Sequence, residues 1–197
     1  DIIKLGLISP QYHFRERESG EFIEFDLGEL ENEITFPYRV QCEQHVMANV
    51  LADRLAAHPN AEVLFNHRAN SFSQDDDGVT VAFETPLDIQ EIRARYVIAA
   101  DGGNSIIRKW LGAQFDGFTY PEKFLCLSTK RELSDYIENL VYVNYVSDPK
   151  EWLVLLRVPS VWRILLPASE EQADEELLSD ASRDRVFEHL IGESGVE

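Results

Sequence analysis

Apolar and polar positions alternate with two different periods along this chain, and the change of period marks its elements. Tyr12 and Phe14, then Phe22, Phe25 and Leu27, flank the polar break Ser19-Gly20-Glu21 and predict a β-hairpin. Residues 28–38 are acidic and contain Pro37, which predicts a connecting loop. Over residues 43–58 the period becomes helical. Met47, Val50, Leu51 and Leu55 fall at i, i+3, i+4 and i+8, one apolar stripe in which Met47 reads as core filler, and Pro59-Asn60 ends it. Short β-rich stretches follow at 61–65, 68–74 and 79–84. The last two are joined by Asp75-Asp76-Asp77-Gly78, in which glycine permits a positive φ and aspartate bonds its own backbone. A further strand is predicted over 91–100. It ends in the unbroken apolar run Tyr96-Val97-Ile98-Ala99-Ala100, the pattern of a strand buried on both faces.

Beyond Gly117 strands are predicted at 123–129, 140–147, 152–158 and 162–167, with turns at Asp148-Pro149-Lys150 and Pro159-Ser160, a mostly antiparallel region. Residues 169–197 hold ten carboxylates against Arg183 and Arg185. Leu177, Leu178, Val186, Phe187, Leu190 and Ile191 keep a roughly helical spacing among them, so two short solvated helices with one apolar face are predicted. The fold class is therefore α/β.

Charge narrows the partners. The 197 residues carry 36 acids and 18 bases, a formal charge of −18, which disfavours nucleic acid and anionic membrane surfaces. No apolar run reaches the ~18 residues that a membrane span needs. Cys42 and Cys126 form no disulfide framework, and no Cys/His cluster points to a metal, so a reducing cytoplasm is the default. The five histidines are scattered and no Ser/His/Asp arrangement argues for a hydrolase. The chain starts Asp1-Ile2-Ile3 and its one methionine is Met47, which points to a processed or excised piece.

The chemistry concentrates in YVIAADGGNSIIRKWLG, residues 96–112. A strand is expected to hand over to a helix there, with Asn104 or Ser105 as N-cap and Gly112 just past the end. Asp101 is an acceptor-only carboxylate suited to a polyol's hydroxyls, and Gly102 and Gly103 remove side chains from a ligand's path. Free N–H groups at the helix start favour a nearby negative charge. A ribityl chain with a pyrophosphate meets both demands.

The segment resembles the "DG" motif of the class A flavoprotein monooxygenases, the FAD-dependent aromatic-ring hydroxylases of the para-hydroxybenzoate hydroxylase type. The motif runs roughly D-G-x-x-S-x-V/I-R-x-x-L-G, and Asp101, Gly102, Ser105, Ile107, Arg108, Leu111 and Gly112 stand at the matching places. The resemblance implies that Asp101 holds the ribityl hydroxyls, with Gly102 as its close-approach partner. Arg108, one turn into the helix, steadies cofactor or substrate or else pairs on the helix surface. Upstream, Gln44, Met47 and Leu51 resemble the family's helix-opening glutamine pattern, which makes Gln44 the flavin-contact candidate and Gln41 the fallback. Tyr145 to Pro167, with Trp152 and Trp162-Arg163, occupies the family's substrate-binding sheet. Its tryptophans line an aromatic chamber or serve as core anchors.

The resemblance further implies a partial, glutathione-reductase-like FAD-binding layer over 1–117 and a mixed, mostly antiparallel substrate sheet with acidic helices over 118–197. It implies FAD as cofactor, NADH or NADPH as electron donor, molecular oxygen and a small aromatic substrate as partners, and leaves a homo-oligomer open. No catalytic side chain is named. None of the ten glycines forms G-x-G-x-x-G and no later Gly-Asp motif is present, so the chain reads as a central fragment, inactive alone. Three alternatives stand beside it: a halogenase or reductase of the same architecture, a flavin-free ligand-binding or interaction module, and a site for another nucleotide's ribose. WRILLP, residues 162–167, lacks the second tryptophan of the halogenase signature W-x-W-x-I-P.

Overall fold

The computed structural model describes residues 2–149 and 151–196. In chain order, helix α1 (Ile2–Leu5) leads to strands β1 (Leu7–Ser9), β2 (Gln11–Glu16), β3 (Phe22–Asp26) and β4 (Arg39–Gln41), then helix α2 (Gln44–Ala56). Strands β5 (Arg68–Asp75), β6 (Gly78–Glu84) and β7 (Ile89–Ala94) and helix α3 (Ile106–Trp110) follow. Strands β8 (Lys123–Thr129), β9 (Val143–Ser147), β10 (Leu153–Arg157) and β11 (Trp162–Ala168) precede helices α4 (Asp174–Leu177) and α5 (Asp180–Ile191). The architecture is α/β, as its residue patterns predict. Two compact units share the chain: residues 1–51 with 120–197, and residues 52–119.

The larger unit is built on a six-stranded sheet in the order β3-β2-β9-β10-β11-β8. All pairings are antiparallel except β2 with β9, which sets His13 opposite Asn144 and Phe14 opposite Tyr145. Alternation along the strands gives the sheet two faces. On one face Leu153, Leu155, Trp162, Ile164 and Leu166 pack against Val186 and Phe187 of α5, together with Leu133 and Val196. Burying each of these large side chains stabilises the unit by about 1.5–3 kcal/mol. Helix α5 presents that face because its ends are fixed. The Ser179 side chain accepts from the Ser182 N–H at the start, and Gly192 takes the left-handed conformation (φ +74°) just past the end. On the second face Phe14, Ile23, Phe25 and Phe124 are exposed, whereas Val143 is buried.

The smaller unit holds the antiparallel sheet β5-β6-β7, with Val79 and Val81 buried. Its first turn forms as the Asp-Asp-Asp-Gly pattern requires. The Asp75 carboxylate accepts from the Asp77 and Gly78 N–H groups, and Gly78 sits at φ +156° with Ala94 O only 2.5 Å from where a Cβ would stand.

Three expectations fail here. Residues 61–65 are not a strand, for no neighbouring strand pairs with them among the described residues. The run Tyr96-Val97-Ile98-Ala99-Ala100 is not one either: β7 stops at Ala94, the run has no ladder partner, and Tyr96, Val97 and Ile98 lie exposed. A strand needs a neighbour for its backbone groups, and apolarity alone supplies none. Met47 is also no core filler. It is exposed, as are Leu51 and Leu55, and no residue of α2 is buried. Lys150, third residue of one expected turn, lies outside the described residues.

Candidate functional site

The loop between Ala100 and α3 is organised by one carboxylate. Asp101 Oδ1 accepts the Ser105 hydroxyl at 2.7 Å, while Oδ2 accepts the N–H groups of Ile106 at 2.8 Å and Ile107 at 3.3 Å. Ser105 is the N-cap of α3, and its Oγ accepts from the Arg108 N–H at 3.1 Å. The Ser105 N–H closes a turn onto Gly102 O, with Gly102 at φ +82°. Glycine is required there by the left-handed backbone, which costs other residues about 1–2 kcal/mol, and not by crowding, because a Cβ would meet nothing within 4 Å. The Ser105 hydrogen bond, joined by those of the helix N–H groups, holds the Asp101 carboxyl below its ordinary value despite a desolvation effect in the other direction.

This geometry revises the expected division of labour. The N–H groups at the start of α3 are not free for a pyrophosphate, because Asp101 and Ser105 already occupy those of Ile106, Ile107 and Arg108. An ionised carboxylate offers about four lone-pair sites, so three protein donors leave about one, on Oδ1, for an incoming hydroxyl. Arg108 bends back as a strap. Its Nη1 donates to Gly103 O at 2.9 Å and its guanidinium lies 4.7 Å from the centre of the Phe115 ring. Asp101 and Gly102 in the loop and Arg108 in α3 thus lie together in the smaller unit, and Ser105, matched only as a motif position, is the central hydrogen-bonding group.

Gln44 belongs to the larger unit, where it opens α2 with an exposed side chain. The residue before it fixes where that helix begins. Glu43 is buried and its Oε1 accepts both the N–H and the hydroxyl of Ser160, in the turn between β10 and β11. Burial pushes the Glu43 carboxyl up, yet the hydrogen bonds from Ser160 and its own N–H outweigh this and leave it below the usual carboxylate value. Gln41, the fallback, is buried in β4 with Nε2 unpartnered.

Beside the β2–β3 turn lies a depression of about 920 Å³, lined from one strand phase by Phe14, Ile23, Tyr145 and Trp152 and from the other by Arg15, Phe22 and Leu153. Phe14 stacks on Tyr145 at 4.8 Å between ring centres. Of the two tryptophans, Trp162 is a core anchor, 2 % exposed, with Nε1 donating to Glu132 at 2.7 Å. Trp152, 45 % exposed, lines the depression. Strand alternation held the signal for this: Trp162, Ile164 and Leu166 share one face, and Arg163 and Leu165 the other.

Residues 9–194 match the family model described as FAD binding domain. The chain belongs to the FAD binding domain family. Among its relatives is the para-nitrophenol 4-monooxygenase of Pseudomonas sp. (strain WBC-3), 28 % identical over 179 residues, which are 90 % of this chain and 44 % of that protein. The crystal structure of p-nitrophenol 4-monooxygenase PnpA from Pseudomonas putida DLL-E4 superposes with a TM-score of 0.87 at 27 % identity, covering 99 % of this chain and 48 % of that one. Aklavinone-11 hydroxylase, solved with FAD and aklavinone, shares the fold (TM-score 0.78, 20 % identity, 100 % of this chain and 40 % of that one). This FAD binding domain chain spans about half the length of those relatives or less.

Proposed function

We propose that this chain is part of an FAD- and NAD(P)H-dependent monooxygenase that hydroxylates a phenolic or other aromatic substrate. The supporting observation is the Asp101 loop: a carboxylate fixed by three donors, one acceptor site remaining, and a left-handed glycine leaving open space beside it. An acceptor of that kind suits a polyol's hydroxyls and not a phosphate, which supports the ribityl hydroxyls as the part of FAD that Asp101 receives. Gln44 is proposed as a flavin contact on its place at the start of α2, which Glu43 and Ser160 anchor. Arg108 acts by holding the loop's shape through Gly103 O.

The bound cofactor supplies the redox chemistry, using NADH or NADPH and molecular oxygen to place one oxygen atom on the ring and release the other as water. The protein's part is positioning and exclusion of water. Phe14, Tyr145 and Trp152 offer flat apolar surface to an aromatic ring in the depression. The free thiols Cys42 and Cys126 suit a reducing cytoplasm.

The experiment is purification of the full-length protein. A yellow preparation, with oxygen uptake that depends on NAD(P)H and yields a hydroxylated phenol, is the expected result. A colourless full-length protein that consumes no oxygen would overturn it.

A further inference from the structure

Glu43 sits where β4 hands over to α2. Its carbonyl accepts the Val46 N–H at 3.0 Å and the Met47 N–H at 3.4 Å, so the helix starts on it. Before it, Gln41 closes the β1–β4 ladder opposite Leu7. Gly6 packs so tightly there that an added Cβ would lie 2.6 Å from Val40 Cγ1 and 2.8 Å from Gln41 O. After it comes Gln44, the exposed first residue of α2. The Glu43 side chain is 3 % exposed. It reaches to a residue 117 positions away, where Oε1 accepts both the N–H and the hydroxyl of Ser160.

Ser160 is an equally fixed partner. Pro159 and Ser160 make the tight turn between β10 and β11, closed by the Val158 N–H onto Val161 O at 3.0 Å. The proline ring holds the backbone angle next to the serine. At the far end of β10, Trp152 and Leu153 line the depression. One carboxylate thus joins the hairpin that borders the depression to the start of the helix that carries Gln44. Its other oxygen, Oε2, is buried with no hydrogen-bond partner among the described residues. A half-satisfied buried carboxylate is a costly way to hold two segments together, because apolar packing of similar volume would hold them without that penalty. What the carboxylate adds is direction: two donors on one oxygen fix distance and angle, which apolar contact leaves loose.

We infer that Glu43 is a positioning residue for the cofactor: its grip on Ser160 sets the start of α2 so that Gln44 meets the flavin, against the same hairpin that borders the depression. This rests on the proposed flavin contact of Gln44.

The test uses the full-length protein, stripped of flavin and titrated with FAD by flavin fluorescence. Ser160→Ala should weaken FAD binding about threefold to tenfold. Ser160→Thr, which keeps both the N–H and the hydroxyl, should bind within about twofold of the wild type. Gln44→Ala should weaken binding by a factor similar to that of Ser160→Ala. The double variant should bind no more weakly than Gln44→Ala alone, because Ser160 and Glu43 act through that side chain. Wild-type affinity in Ser160→Ala, whatever that variant loses in denaturant unfolding, would overturn the assignment. So would wild-type affinity in Gln44→Ala, losses that multiply in the double variant, or a loss in Ser160→Thr as large as in Ser160→Ala. A wild-type protein that binds no FAD overturns the functional reading itself, and the wild-type titration alone tells that outcome from the others.

Discussion

Two apolar runs of similar composition have opposite fates in this molecule. Leu153–Arg157, strand β10, lies between β9 and β11, and Leu155 is 0 % exposed. Tyr96-Val97-Ile98-Ala99-Ala100 pairs with nothing among the described residues, and Ile98 is 92 % exposed. Hydrophobicity decides that a segment gains by burial. A ladder partner decides whether it is a strand, and α5 supplies the packed layer that completes the core. The larger unit carries both for one face of its sheet. The run before Asp101 carries neither, so the loop is organised locally, by Asp101 and Ser105.

The contrast has measurable consequences. The largest is expected from truncation in the core: Leu155→Ala should destabilise the chain by about 2–5 kcal/mol in denaturant unfolding, whereas Ile98→Ala should stay within about 0.5 kcal/mol. Equal effects would erase the distinction. Next, Trp162→Phe should cost about 1–3 kcal/mol, because Glu132 loses a buried N–H donor, while Trp152→Phe should change stability by less than about 0.5 kcal/mol. Smaller again is the pH response of the loop. The Asp101 carboxyl is lowered in the folded chain, so its contribution is fully present above the unfolded value of ~3.9 and is lost as pH falls through the lowered folded value. Amide exchange at Ile106 and Ile107 should quicken over that acid range, and Asp101→Asn should remove the dependence. The subtlest effect is in native-state exchange at neutral pH, where the amides of Val97 and Ile98 should exchange far faster than those of Leu155 and Ile164.

The same contrast explains what could be read from the residues alone. Local signals held. The Asp75–Gly78 turn, the extent of α2, the two helices after residue 169 and the strands after Gly117 each depend on neighbours within a few positions. The failures needed distant partners. The parallel pairing of β2 with β9 joins residues about 130 positions apart, and nothing local announces it. Residues 61–65 and 96–100 look like strands but have no neighbouring strand among the described residues. At the site, the motif located Asp101, Gly102 and Arg108, yet their bonds ran inward: the carboxylate caps α3 and Arg108 ties its own loop.

At the centre stands the remaining acceptor site on Asp101. Flavin bound per polypeptide in the full-length protein, compared between wild type and Asp101→Ala, tests it most directly, with Ser105→Ala as the control that disturbs the helix cap but keeps the carboxylate. Flavin content falling several-fold in Asp101→Ala and much less in Ser105→Ala is the predicted result. Wild-type flavin content in Asp101→Ala would contradict it.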